Sequence, residues 1–127
     1  MPAARILYIE DKVDNRMLVK RVLMFEDIEV VEAADADTGI ALAVRERPDL
    51  ILMDINMPGK DGYTATNDIR KFPELNHIPI IALTANVMKG DKEKSINAGC
   101  DGYIPKPIDV DRFPMEVMNF IKKGRRG

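Results

Sequence analysis

The chain has 127 residues, of which 46% are hydrophobic and 31% charged, and its formal net charge is −2. That composition suits one globular domain with one core and gives no large basic field for nucleic acid or anionic lipid. Its apolar runs are too short to span a bilayer, no signal-like segment opens it, and its single cysteine, Cys100, excludes an intrachain disulfide and suits a reducing, cytoplasmic compartment.

Strand-like and helix-like segments alternate from the start. "RILYIE" (5–10) is a short apolar run, and "DNRMLVKRVLMFED" (14–27) places Leu18, Val22 and Phe25 at helical spacing behind Asp14 as N-cap. "IEVVEA" (28–33) reads as a second strand, and "ADTGIALAVRER" (36–47) as a helix stopped by Pro48. "LILMD" (50–54) is the most apolar strand. "GYTATNDIRKF" (62–72) follows as a helix ending before Pro73. "IPIIALT" (78–84) is β-branched, and "DKEKSINAG" (91–99) is a helix with Asp91 as N-cap and Gly99 as C-cap. "DGYI" (101–104) makes a brief strand. The helix "DVDRFPMEVMNFIKK" (109–123) puts Phe113, Val117, Phe120 and Ile121 on one face. The basic "KKGRRG" end reads as solvated and frayed.

Five strands and five helices in strict alternation imply right-handed βαβ units and a parallel α/β sheet with helices on both faces. Ligands of such sheets bind outside the carboxyl ends of the strands. The acids fall there. Asp54 closes the third strand, while Glu10 and Asp11 close the first. Thr84 ends the fourth and Lys106 follows the fifth. If the first and third strands are neighbours, three carboxylates converge. They then repel one another unless a proton or cation intervenes. Mg²⁺ suits such a site, because it takes a few protein oxygens and keeps waters that a phosphate displaces. A lysine and a hydroxyl opposite can bind phosphoryl oxygens, and a carboxylate can accept a phosphoryl group as nucleophile.

"IED" (9–11), "LILMDINMPGKDGY" (50–63), "IIALTA" (80–85) and "GYIPKPI" (102–108) stand in order and at fitting intervals. With them the chain resembles the receiver domain of two-component response regulators, from about Arg5 to Lys122. The resemblance implies a flavodoxin-like five-stranded parallel sheet of order 2-1-3-4-5, a receiver domain over 1–123 and a short basic tail over 124–127. It makes Asp54 the phosphoacceptor. Asp11 becomes a direct metal ligand, Glu10 acts through a metal-bound water, and the Asn56 carbonyl completes the protein's share of the Mg²⁺ coordination. Glu10 departs from the commoner aspartate of the acidic pair. By the same resemblance Thr84 and Lys106 hold the phosphoryl oxygens, Tyr103 is the switch aromatic coupled to Thr84, and Pro107 follows a cis peptide bond. The implied donor is a histidine kinase or a histidine phosphotransfer protein. The implied readout is contact with a downstream protein, through the face of the fourth helix, fifth strand and fifth helix. The domain is then not an enzyme but a phosphoacceptor that assists its own phosphorylation and dephosphorylation, as a monomer or weak dimer. "HIPIIALTANVMKGDKEKSINAGCDGYIPKPI" (77–108) is most similar to stand-alone regulators of the DivK type and to receivers of hybrid kinases. No output segment follows residue 123, which fits a stand-alone receiver if the chain is whole.

Two other classes compete. A Mg²⁺-dependent phosphohydrolase of the haloacid dehalogenase type also uses an aspartate after an apolar strand. It needs a second aspartate two residues on, where this chain has Asn56. A flavodoxin-like mononucleotide binder needs a phosphate-cradling loop after the first strand, where "EDKVDN" (10–15) is acidic and lacks glycine. The fourth helix offers only Ile96 and Ala98 as apolar anchors, so 85–99 is expected to be the most mobile internal segment. Asn56 and Asn86 flank the site and bear on the acyl-phosphate lifetime. His77 sits in the polar loop "ELNH" and is read as bland, Asp61 as a solvated loop acid, and Cys100 and the eight methionines as core filler.

Overall fold

In a computed structural model, which describes residues 4–85 and 90–125, five parallel strands form one sheet in the order β2-β1-β3-β4-β5. They are β1 (Ala4–Ile9), β2 (Ile28–Ala33), β3 (Leu50–Asp54), β4 (Ile80–Thr84) and β5 (Gly102–Pro105). Between and after them run α1 (Val13–Leu23), α2 (Ala36–Glu46), α3 (Gly62–Arg70), α4 (Asp91–Ala98) and α5 (Phe113–Lys123). The alternation of side chains along each strand divides the core in two. Ile6, Tyr8, Leu50, Leu52, Ile81 and Leu83 pack with Val19 and Leu23 of α1 and Phe113 and Val117 of α5. Leu7, Ile9, Ile51, Met53, Ile80 and Ala82 pack with Ala43 of α2 and Ala65 and Ile69 of α3. β3 is buried at every residue, because it lies in the centre of the sheet with helices over both faces.

The strands match their expected places closely, with β1 shifted one residue earlier so that Glu10 follows it, β4 starting at Ile80 rather than 78 and β5 shifted one residue later. Helix ends and faces differ more. Asp14 does not cap α1. The N-cap is Lys12 and no side chain caps it. The helix turns Val19 and Leu23 inward and leaves Leu18 40% exposed. Phe25 lies beyond its end, in a 3-10 turn over Met24–Glu26, and is 82% exposed. A helical face is set by how the helix docks on the sheet, and a shift of one residue rotates the face by about 100°.

Arg47, at φ 45°, terminates α2 with its N–H on the Ala43 carbonyl. α3 stops at Arg70, and Pro73 opens a 3-10 turn over Pro73–Leu75. Asp61 is no idle loop acid, because its carboxylate accepts the Thr64 N–H at 2.8 Å and caps α3. Gly90, not Asp91, is the N-cap of α4, while Gly99 does terminate it at φ 110°. Ile96 does not anchor that helix: it is 49% exposed, while Ala98 is half-buried and Ser95 is the fully buried side chain among the described residues. Of the stretch 85–99, residues 86–89 lie outside the described residues, Asn86 among them.

The basic end is tied down as far as Arg125. Its guanidinium donates to Asp101 Oδ1 at 3.0 Å and to both oxygens of Asn76 at 2.9 Å. Arg126 and Gly127 lie outside the described residues. Cys100 is buried beside Thr66, as a small core residue. Among the described residues no helix is long and apolar enough to cross a membrane.

Candidate functional site

The strand register assembles the site. Ile9 pairs with Met53, so Glu10 and Asp54 leave the sheet side by side at adjacent strand ends. Thr84 pairs with Pro105, and the Lys106 N–H reaches the Thr84 carbonyl at 2.8 Å, which sets Lys106 at the same end of the sheet. Gly62, the first residue of α3, presses against this end. A Cβ there would lie 2.4 Å from the Asp54 carbonyl oxygen.

Glu10, Asp11 and Asp54 each offer an oxygen, and these oxygens lie within 4.8 Å of one another. Glu10 is fully buried and Asp54 is 2% exposed. Lys106 Nζ lies 2.7 Å from Asp54 Oδ1 and 3.6 Å from Glu10 Oε1. The Asn56 N–H also donates to Asp54 Oδ1, at 3.2 Å. Thr84 is fully buried at the end of β4, and Tyr103 on β5 is half-buried against the α2–α3 side of the core. The Lys106–Pro107 peptide is cis. The residues expected to form the site are thus at one end of the sheet.

Electrostatics divide the two central acids. Burial, followed by hydrogen bonding to Asp54, pushes the Glu10 carboxyl well above the usual glutamate range. Burial also works to raise Asp54, but hydrogen bonds with Glu10 and Lys106 outweigh it and hold Asp54 below its ordinary value. Of the two acids, Asp54 is the one held toward its charged form, and it is the group that the ammonium touches.

A hard divalent cation fits this set. The donors are three carboxylates, and Asp11 Oδ1 is buried with no hydrogen-bond partner among the described residues. Such an orphaned acceptor is costly unless a cation or water meets it. Carboxylate oxygens are the ligands that Mg²⁺ takes.

Three residues that hold the acidic pair were not found by reading the chain. Asn15 Nδ2 donates to Glu10 Oε1 at 2.7 Å, and the Tyr8 hydroxyl donates to the same oxygen at 3.3 Å. Arg16 donates to the Glu10 carbonyl at 2.8 Å and to the Asp11 carbonyl at 3.3 Å, and pairs with Glu32 at 3.4 Å. One signal was available. Tyr8 and Glu10 are two apart on a strand and so share a face.

Comparison with known proteins is consistent with this geometry. Residues 6–117 match the response regulator receiver domain family. The polar-differentiation response regulator DivK of Brucella anthropi is 37% identical over 116 residues, covering 91% of this chain and 94% of that protein. The response regulator PleD of Caulobacter vibrioides is 38% identical over 107 residues, which is 84% of this chain but 24% of PleD. The solved receiver domain of a Pseudomonas aeruginosa sensor histidine kinase is 35% identical with a TM-score of 0.86, and the match covers 94% of this chain and 98% of that one. That structure holds a magnesium ion in its active-site cleft. Nothing in these comparisons favours a haloacid dehalogenase.

Proposed function

The chain belongs to the response regulator receiver domain family, a family of phosphoaccepting signalling switches, and on that premise we propose that Asp54 is its phosphoacceptor, in a Mg²⁺-dependent reaction. The observation that carries this reading is the Asp54 carboxylate itself. It is buried at the end of the central strand, beside Lys106 and within reach of two further acids.

In this reading an Asp54 carboxylate oxygen attacks the phosphorus of a phosphohistidine on a histidine kinase or histidine phosphotransfer protein. The P–N bond breaks and an acyl phosphate forms. Lys106, already on Asp54, passes to a phosphoryl oxygen, and the Thr84 hydroxyl turns to another. Glu10, Asp11, Asp54 and the Asn56 carbonyl would hold Mg²⁺. When bound, the ion neutralises charge on the phosphoryl oxygens and among the acids. Because these groups belong to the acceptor, the domain assists its own phosphorylation and dephosphorylation without being an enzyme.

Readout follows through Thr84 and Tyr103 to the face of α4, β5 and α5, where a downstream protein docks. α4 suits that role. It is one short helix whose buried side chain among the described residues is Ser95 and whose apolar Ala98 is only half-buried, so its position is biased at small cost. Residues 1–123 make up the receiver and 124–127 a short basic tail. Its setting is the cytoplasm, where two-component phosphotransfer donors act.

Beryllofluoride, which mimics a phosphoryl group on aspartate, tests both parts. With Mg²⁺ present it should shift the amide resonances of Thr84, Tyr103 and α4 in the wild type and leave Asp54→Asn unchanged. No shift in the wild type would refute the reading.

A further inference from the structure

The resemblance assigns the acids of the site but says nothing about what holds Glu10 in place. A glutamate has one more rotatable bond than an aspartate, and so more freedom to lose when it binds a cation. Here that freedom is already restricted. Tyr8 and Glu10 lie on the same side of β1, and the Tyr8 ring is fully buried between α1 and α5 with its hydroxyl on Glu10 Oε1. A phenol hydroxyl at that distance, 3.3 Å, donates to a carboxylate oxygen. Asn15, in the first turn of α1, donates to the same oxygen at 2.7 Å.

Lys106 is the third group near Glu10 Oε1, at 3.6 Å, but it is shared with Asp54. If the ammonium leaves for a phosphoryl oxygen, Tyr8 and Asn15 remain. The other oxygen, Oε2, accepts the Lys12 N–H at 3.4 Å and is not met by Tyr8 or Asn15.

We propose that Tyr8 and Asn15 are positioning residues for the metal site, which fix Glu10 through Oε1 and leave Oε2 as the oxygen available to a water on the divalent cation. The inference rests on the reading that Glu10, Asp11 and Asp54 hold Mg²⁺. The Tyr8–Asn15–Glu10 set acts as a unit matched to glutamate. An aspartate at position 10 would be one methylene too short to meet both donors. Partners of this kind orient metal ligands and tune affinity although they never touch the ion.

The test is calorimetric titration of Mg²⁺ alone into wild type, Tyr8→Phe and Asn15→Ala. Each variant is also unfolded with urea in EDTA, to separate a general loss of stability from a loss of metal binding. Asn15→Ala should weaken the Mg²⁺ Kd about tenfold, in the range for lost partners of metal ligands. Tyr8→Phe, which loses the longer hydrogen bond and keeps the ring, should weaken it about threefold. On a Glu10→Asp background Tyr8→Phe should no longer move the Kd. Wild-type Kd in both single variants would overturn the inference while leaving the proposed function standing. So would a Tyr8→Phe effect that persists undiminished on the Glu10→Asp background. A wild-type protein that binds no Mg²⁺ would instead sink the metal reading, and this inference with it.

Discussion

The Lys106 ammonium lies 2.7 Å from Asp54 Oδ1 and 3.6 Å from Glu10 Oε1, so one cation compensates two buried carboxylates. Lys106→Ala should therefore act twice. In EDTA it should destabilise the fold by about 1–3 kcal/mol, as expected for losing a hydrogen bond to a charged group. Urea unfolding with Mg²⁺ should show a smaller deficit, because the acids freed of the ammonium bind the cation more tightly and so gain more from it. Phosphorylation should slow about a hundredfold, the usual effect of removing one donor to a transition-state oxygen. Unchanged stability in EDTA would contradict the shared role of this ammonium.

Gly62 has a similar link to the site through backbone. A Cβ at position 62 would lie 2.4 Å from the Asp54 carbonyl and 2.8 Å from Ile55 Cα. Neither neighbour is the flexible end of a side chain. Gly62→Ala should cost about 1–3 kcal/mol, the range for overpacking, and should slow phosphorylation by displacing the end of β3. A variant as stable and as fast as wild type would show that α3 can retreat without moving Asp54.

At the opposite end of the sheet, Asp101 joins three elements. It accepts Arg70 and the Ile80 N–H on Oδ2, at 2.8 and 3.0 Å, and Arg125 on Oδ1. Its side chain is 6% exposed and that of Arg70 10%. Asp101→Ala strands a buried guanidinium and should cost about 3 kcal/mol, near the lower end for breaking a buried pair. Arg125→Ala, at a more exposed position, should cost about 1 kcal/mol. Equal urea midpoints for the two variants would count against this ranking.

Burial pushes the Cys100 thiol up to about 11. The thiolate is the reactive form, so at pH 8 about one thiol in a thousand is competent. Iodoacetamide should label native Cys100 slowly, about ten times faster for each pH unit gained, and should label it readily in denaturant. Rapid labelling of the folded protein at pH 8 would contradict the buried placement.

α4 should exchange its amides early. It has no side-chain N-cap, Ile96 faces outward, and the Ser95 hydroxyl is buried with no partner among the described residues. Amides of 93–98 should exchange at least about a hundred times faster than those of Ile51–Met53, whose opening approaches the global limit. Equal protection would remove the argument that this helix moves cheaply.

The strands and the acid cluster could be read along the chain because both follow from local rules. A central parallel strand is apolar at every position, as at 50–53, and a functional residue follows at its carboxyl end, as Asp54 does. The face of α1 could not be read that way. Leu18, Val19, Val22 and Phe25 are all apolar, and only docking on the sheet decides that Val19 turns inward while Phe25 stays out. Distant partners were equally hidden. The chain does not show that Arg125 meets Asn76 and Asp101, or that Asn15 reaches back to Glu10.

The most direct test of Asp54 as phosphoacceptor is intact mass after incubation with acetyl phosphate and Mg²⁺, for wild type and Asp54→Asn. One added phosphoryl group on the wild type alone, abolished when EDTA is present from the start, is the predicted result. An adduct of equal yield on Asp54→Asn would place the phosphoryl group elsewhere and contradict the assignment.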